Sequence, residues 1–189
     1  MLNYFFAQAC NNAWANHRIL QACGALGEDE CFAARTGFFP SIMRTLNHTL
    51  MVDWFYVSAL EGACEGYAAF ERALQVKTMG SLVTEQAAVD QRLMTVCRNL
   101  RADDLGATVA LVRDSWTQME RVDSVLLHLF QHQIHHRGQV HAMLSGTSVA
   151  PPQLDEFFLG DEVKAVREAR SSELAQLGVQ WEAVWEHEL

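Results

Sequence analysis

Proline occurs at only three positions, Pro40, Pro151 and Pro152, so residues 41–150 run without one. A proline inside a helix removes a backbone donor and clashes with the preceding turn, so long proline-free stretches leave helices free to form. These stretches are rich in Ala, Leu, Met, Glu and Gln, residues that lose little on entering a helix. The pattern predicts helices over about residues 2–26, 41–60, 81–100 and 115–145. Shorter helical stretches follow at 161–177 and 181–189. Gly27 is a stop for the first helix, and Ser41, just after Pro40, is an N-cap for the second. Residues 66–80 give no clear pattern, and Thr108–Val112 reads as a short strand without an evident partner. The expected fold is all-α: an antiparallel four-helix bundle with an extra C-terminal helical segment, in one domain over residues 1–189.

Charge and cysteine usage narrow the function. The chain carries 23 acidic against 14 basic residues, a formal net charge of -9. That balance gives no basic stripe for nucleic acid and no attraction to an anionic membrane. The apolar runs are too short to span a bilayer, and the start of the chain lacks the basic region of a secretory signal. Cys10, Cys23, Cys31, Cys64 and Cys97 are odd in number and form no C-x-x-C pair. Their pattern fits a reducing, cytoplasmic setting, and Cys10, Cys23 and Cys97 read as small buried hydrophobes.

Five of the eight histidines fall between His128 and His141. With about 100° per residue and His128 at zero, His132 lies near 40°, His136 near 80° and His135 near -20°. The apolar residues Val122, Val125, Leu126, Leu129, Val140, Met143 and Leu144 span an arc of roughly 60° to 160°. His136 is inside that arc and His132 at its edge, whereas His128 and His135 face outward. An inward pair at i, i+4 can converge on one ion, or each ring can be an ordinary core histidine bonded to a neighbour. His48 shares a face with Thr45, Val52, Phe55 and Ala59 on the second helix and supplies a third inward imidazole. Three imidazoles leave coordination positions open, as in catalytic sites, and they suit zinc or nickel foremost, then copper or iron. His17, His141 and His187 read as surface residues. Arg137 reads as a structural partner of an acid, ahead of a role in binding anions. Asn47 and Gln139 read as groups able to bond to the ligands. The aromatics Phe5, Phe6, Trp54, Phe55 and Tyr56 read as core or dimer packing.

The stretch His132-Gln-Ile-His135-His136-Arg137-Gly138-Gln139 resembles the H-x-x-x-H-R-G-Q motif of the DinB (damage-inducible) family. Residues 41–54 around His48 are similar to that family's second-helix motif. Trp14-Ala15-Asn16 resembles its first-helix motif, and Leu154-Asp155-Glu156-Phe157-Phe158 its tail. The resemblance implies a bundle, commonly a homodimer, holding one divalent metal through His48, His132 and His136, with His135 dispensable. It also implies chemistry like that of the family's thiol-dependent members: a metal-dependent transferase using a low-molecular-weight thiol. Two other readings stand beside it. One is a metal-dependent hydrolase, weakened because no glutamate sits between the paired histidines as in H-E-x-x-H. The other is a non-catalytic metal-binding stress-response bundle. Asp53 and Glu61 have no assigned role.

Overall fold

A computed structural model describes residues 2–158, 164–180 and 183–184. The elements are α1 (Leu2–Leu26), α2 (Glu28–Phe32), α3 (Ile42–Leu60), α4 (Ala68–Ala73) and α5 (Met79–Asn99). A 3-10 turn (Ala102–Gly106) leads to β1 (Thr108–Val112), β2 (Thr117–Arg121), α6 (Val122–Leu144) and α7 (Lys164–Gln176). The expected all-α bundle is present, built from α1, α3, α5 and α6. Most of the expected final turn at 181–189, and His187 with it, lie outside the described residues.

Local chemistry sets the helix ends. Gly27, at φ +91, follows the last residue of α1 in a conformation that residues with a Cβ rarely adopt. The Ser41 hydroxyl accepts from the Arg44 N–H at 3.2 Å and starts α3, as its position after Pro40 predicts. α5 begins two residues earlier than expected because Thr78, not Ser81, is its cap. Thr78 Oγ1 accepts from Ser81 N–H, and Ser81 Oγ accepts from Thr78 N–H, each at 3.2 Å.

The four long helices form a closed ring of neighbours, α1–α5–α3–α6, returning to α1. Side-chain contacts give their directions. Asn12 and Asn16 meet Asp90 while Arg98 covers Phe6, so α1 and α5 are antiparallel. His48 meets His132 and Tyr56 meets His128, so α3 and α6 are antiparallel too. In contrast, Asp53 meets Gln86 and Glu61 meets Arg92, so α3 and α5 run parallel. The segment 61–78, with α4 in it, therefore carries the chain back along the bundle. Trp14, Trp54, Phe6, Leu50, Leu82, Leu93 and Leu126 fill the interior. Phe5 and Phe55 join them, so these aromatics are core.

The expected helix over 115–145 starts too early. Residues 117–121 form β2, which pairs with β1 from Thr108↔Arg121 to Val112↔Thr117. Gln118-Met119-Glu120-Arg121 consists of good helix formers, but β1 needs a hydrogen-bonding partner, and a two-residue turn at Asp114-Ser115 supplies one. Arg113 N–H closes that turn onto Trp116 C=O at 2.8 Å. Leu111, 2% exposed, pins the hairpin to the core.

The tail is held by α1 and α7. Phe157 is fully buried against Trp14, with ring centroids 5.7 Å apart. Arg170 on α7 donates to the carbonyls of Glu156 and Phe157 at 2.5 and 2.6 Å.

Candidate metal centre

His48 from α3 and His132 and His136 from α6 meet in one cluster, and one ring nitrogen from each lies within 4.8 Å of the others. The Nε2 atoms of His48 and His132 are 3.0 Å apart. Two imidazole nitrogens bound at about 2.0–2.1 Å to one ion at roughly right angles or wider lie about 3 Å or more apart, so this pair has ligand spacing. The widest pair has to close by no more than roughly 1 Å to meet the same ion. The helical period explains the convergence: positions 132 and 136 project from successive turns of α6, and antiparallel α3 brings His48 opposite them.

Two observations separate the cluster from a set of ordinary core histidines. His132 Nδ1 is buried without a hydrogen-bond partner, so the ring is held through Nε2 against His48 alone. His136 Nδ1 lies 2.7 Å from Gln139 Oε1. An amide oxygen only accepts, so Nδ1 carries the proton and the Nε2 lone pair is left for an ion. Gln139 Nε2 in turn lies 3.1 Å from His135 Nε2, which fixes the direction of the amide.

The electrostatics keep the donors neutral. Burial, then His136, pushes His48 down to about 4. Burial, then the surrounding imidazoles, pushes His132 down to about 3. Burial also lowers His136, against the opposing bond from Gln139. At neutral pH all three therefore present lone pairs, as metal binding requires. The donor set and its charge state fit a divalent transition ion.

An apolar loop flanks the cluster. Phe39 lies over His48, ring centroids 4.5 Å apart, and Phe38 meets Phe39 edge-on at 4.9 Å. Gly37 permits this approach, because a Cβ there would sit 2.7 Å from the Met143 side chain. On the other side His128, exposed, touches His132 and Tyr56 at 6.0 and 5.2 Å between centroids. His135 is exposed and outside the cluster, as its angle predicts. His17 meets only Gln21 near the surface. His141 differs from its surface reading: it is half-buried, and its Nε2 lies 3.2 Å from Pro152 C=O. The returning tail covers it, which helical periodicity does not foretell.

Beside the cluster lies a buried polar network to which all four long helices contribute. Arg137, 5% exposed, donates to Asn12 and to Asn16 Oδ1 (2.8 Å) on α1 and to Gln133 Oε1 (3.2 Å) on its own helix. Asp53 on α3 accepts from Gln86 at 2.7 Å and from Gln133. Asp90 on α5 accepts from Asn12, Asn16 and Gln86 at 3.0–3.3 Å. Burial lifts Asp53 to about 6, and burial with the nearby Asp53 charge lifts Asp90 to about 7. Burial pulls Arg137 down to about 10, and it remains cationic at neutral pH. One guanidinium balances one carboxylate, so the second carboxyl holds a proton near neutrality.

Gln133 and Arg137 directly follow His132 and His136, so bonding them to α3 and α1 fixes the rotation of α6. That rotation aims the two imidazoles. The structural reading of Arg137 therefore holds, but Asn12, Gln86 and Asp90 are absent from the sequence reading, and Asn16 enters it only as part of the first-helix motif. A signal for them exists: Gln86 and Asp90 at i, i+4 fall within the apolar arc of Leu82, Val89, Leu93, Met79, Cys97 and Met94, where an unpaired polar group is costly. Glu61 lies apart, paired with Arg92 at 2.6 Å.

A comparison with curated proteins finds no match. The motifs around His48 and His136 are accompanied by a family model that matches residues 1–172, that of the DinB family. Since this match covers most of the sequence, the chain belongs to the DinB family.

Proposed function

We propose that His48, His132 and His136 hold one divalent transition metal, zinc or nickel, and that the protein uses it to transfer a low-molecular-weight thiol to an electrophile. The observation that carries the reading is the convergence of three neutral imidazole nitrogens from two helices, with His48 and His132 only half-buried. When bound, the ion supplies the Lewis acidity that lowers the pKa of a thiol placed on it. Gln139 holds His136 in the tautomer that donates Nε2. Phe38 and Phe39 offer an apolar wall to a substrate beside His48.

The surrounding residues favour an external thiol over hydrolysis. Asp53 is committed to the buried network and Glu61 to Arg92, so neither carboxylate serves the cluster as a base. Cys10, Cys23, Cys31 and Cys97 are buried, burial pushes Cys10 and Cys23 up to about 12, and half-buried Cys64 lies outside the cluster, its thiol donating to Ala110 C=O at 3.4 Å. A nucleophilic thiolate at this centre therefore comes from a small molecule. No helix among the described residues is long and apolar enough to cross a membrane.

Metal analysis of protein purified without a histidine tag tests the centre. Near-stoichiometric transition metal is expected, with at least about a hundredfold weaker binding in His48→Ala or His136→Ala, since ligand loss exceeds outer-partner effects. His135→Ala should keep its metal, and loss there would mean the wrong face of α6 was chosen. Conjugation of glutathione, mycothiol or bacillithiol to an activated aryl halide should require the metal. If none of the three perturbs the spectrum of the cobalt-substituted protein, the transferase reading fails and a non-catalytic metal protein remains.

A further inference from the structure

A second cavity, of about 230 Å³, lies where the β-hairpin turn meets α3 and α4, with Phe55, Tyr67, Phe70, Arg113 and Trp116 in its lining. Its walls are aromatic: Tyr67 and Phe70 stack at 5.5 Å, and Phe70 meets Phe55 at 6.3 Å. Tyr67 and Trp116 remain 56% and 57% exposed, more than large aromatics need to be. The guanidinium of Arg113 stands among these rings, 4.9 Å from the centre of Phe55 and 5.8 Å from that of Trp116. Its Nε is buried and has no hydrogen-bond partner. Asp114 lines the same cavity, yet among the described residues no carboxylate forms an ion pair with Arg113. The buried arginines Arg137 and Arg170, by contrast, donate to oxygen acceptors.

The half-buried guanidinium of Arg113 thus stands among aromatic rings with no ion-paired carboxylate among the described residues. The planar guanidinium matches a carboxylate in a two-point fork. The rings match a flat apolar body, and the fixed positive charge rejects a cationic ligand that aromatic walls would otherwise attract. We propose that this cavity binds a small aromatic carboxylate, its carboxylate on Arg113 and its ring against Tyr67, Phe70 and Trp116. The site does not depend on the imidazole cluster. It lies toward the opposite end of α3, Phe55 being seven residues and roughly 10 Å along the axis from His48.

Benzoate is the probe, titrated into the full chain and followed by the indole N–H resonance of Trp116, assigned by its loss in Trp116→Phe. A saturable shift with Kd on the order of 1 mM is expected for so small a ligand. Benzamide, the uncharged isostere, should bind at least about fivefold more weakly, because it loses the charge-assisted fork. Arg113→Gln should weaken benzoate about tenfold and leave benzamide unchanged. A chelator should alter neither titration, which separates this site from the metal centre. Equal binding of benzoate and benzamide would overturn the carboxylate assignment, and no shift of Trp116 up to about 10 mM would overturn the site. Should Arg113→Gln fail to fold, the benzoate–benzamide ratio on the unmodified chain decides alone.

Discussion

The imidazole cluster and the Asp53–Asp90–Arg137 network sit on adjacent faces of α6, yet they obey opposite rules. The network is nearly closed: its three ionisable side chains are buried, most of its polar atoms are bonded, Asp53 Oδ1 excepted, and it draws on α1, α3, α5 and α6. The cluster is open: two of its three rings are half-buried, a ring nitrogen of His132 is unpartnered, and only α3 and α6 take part. A polar group satisfied within the protein specifies packing, whereas one left unsatisfied keeps a bonding position for something else. The difference teaches that the network sets the geometry and the cluster keeps donors free for the proposed ion.

The sharpest way to break this division is to remove the network's only cation. Arg137→Met should cost about 3–5 kcal/mol of unfolding free energy, because it leaves two buried carboxyls without their counter-charge. Metal-free His132→Ala should cost far less in the same urea titration. Equal losses would mean that the network does not hold the bundle as described.

Next in size is the link between the two regions and the ion. Gln139→Ala should weaken metal binding 10–100-fold, the usual effect of losing a partner that orients a ligand histidine. Gln139→Glu keeps an acceptor at the same place and should retain most of the affinity. A competition assay with a chromogenic chelator reads both. An unchanged affinity in Gln139→Ala would show that the 2.7 Å contact does not set the His136 tautomer.

The smallest effect is in pH, where the regions should pull in opposite directions. His48 and His132 fall from an ordinary value of 6.5 to about 4 and 3, so the unfolded chain takes up their protons first. Their contribution to metal-free stability is present above about 6.5 and is lost as pH falls toward 4. Asp53 and Asp90 rise from 3.8 to about 6 and 7, so the folded chain keeps their protons longer. Their contribution is present below about 4 and is lost as pH rises toward 7. Over pH 4–6.5 the two trends oppose. Asp90→Asn should therefore uncover a steeper loss of stability on acidification, by on the order of 1 kcal/mol per pH unit. His48→Gln with His132→Gln should uncover the reverse slope. Identical slopes in all three proteins would remove the electrostatic basis of the comparison.

The parts legible in the sequence are those with local causes. The caps at Ser41 and Gly27, the proline-free helices and the 100° period that turns His132 and His136 inward and His135 outward all depend on neighbours a few residues away. The β-hairpin was only half legible, because the pairing of β2 depends on a strand rather than on its own helix-forming residues. The partners of Arg137 were not legible, because Asn12 and Asn16 are separated from it by most of the chain.

The sequence by itself determined that this chain forms amphipathic helices, and that two imidazoles share the apolar face of α6 with a third available on α3. Both follow from short-range periodicity and burial of apolar surface. Only the tertiary structure decided that α3 runs parallel to α5 and antiparallel to α6, which brings His48 against His132. It also placed Gln86, Asp90 and Asn16 around Arg137, and rings from three elements around Arg113. Side chains distant along the chain are matched by shape and charge only once the helices dock, so these pairings have no local signature.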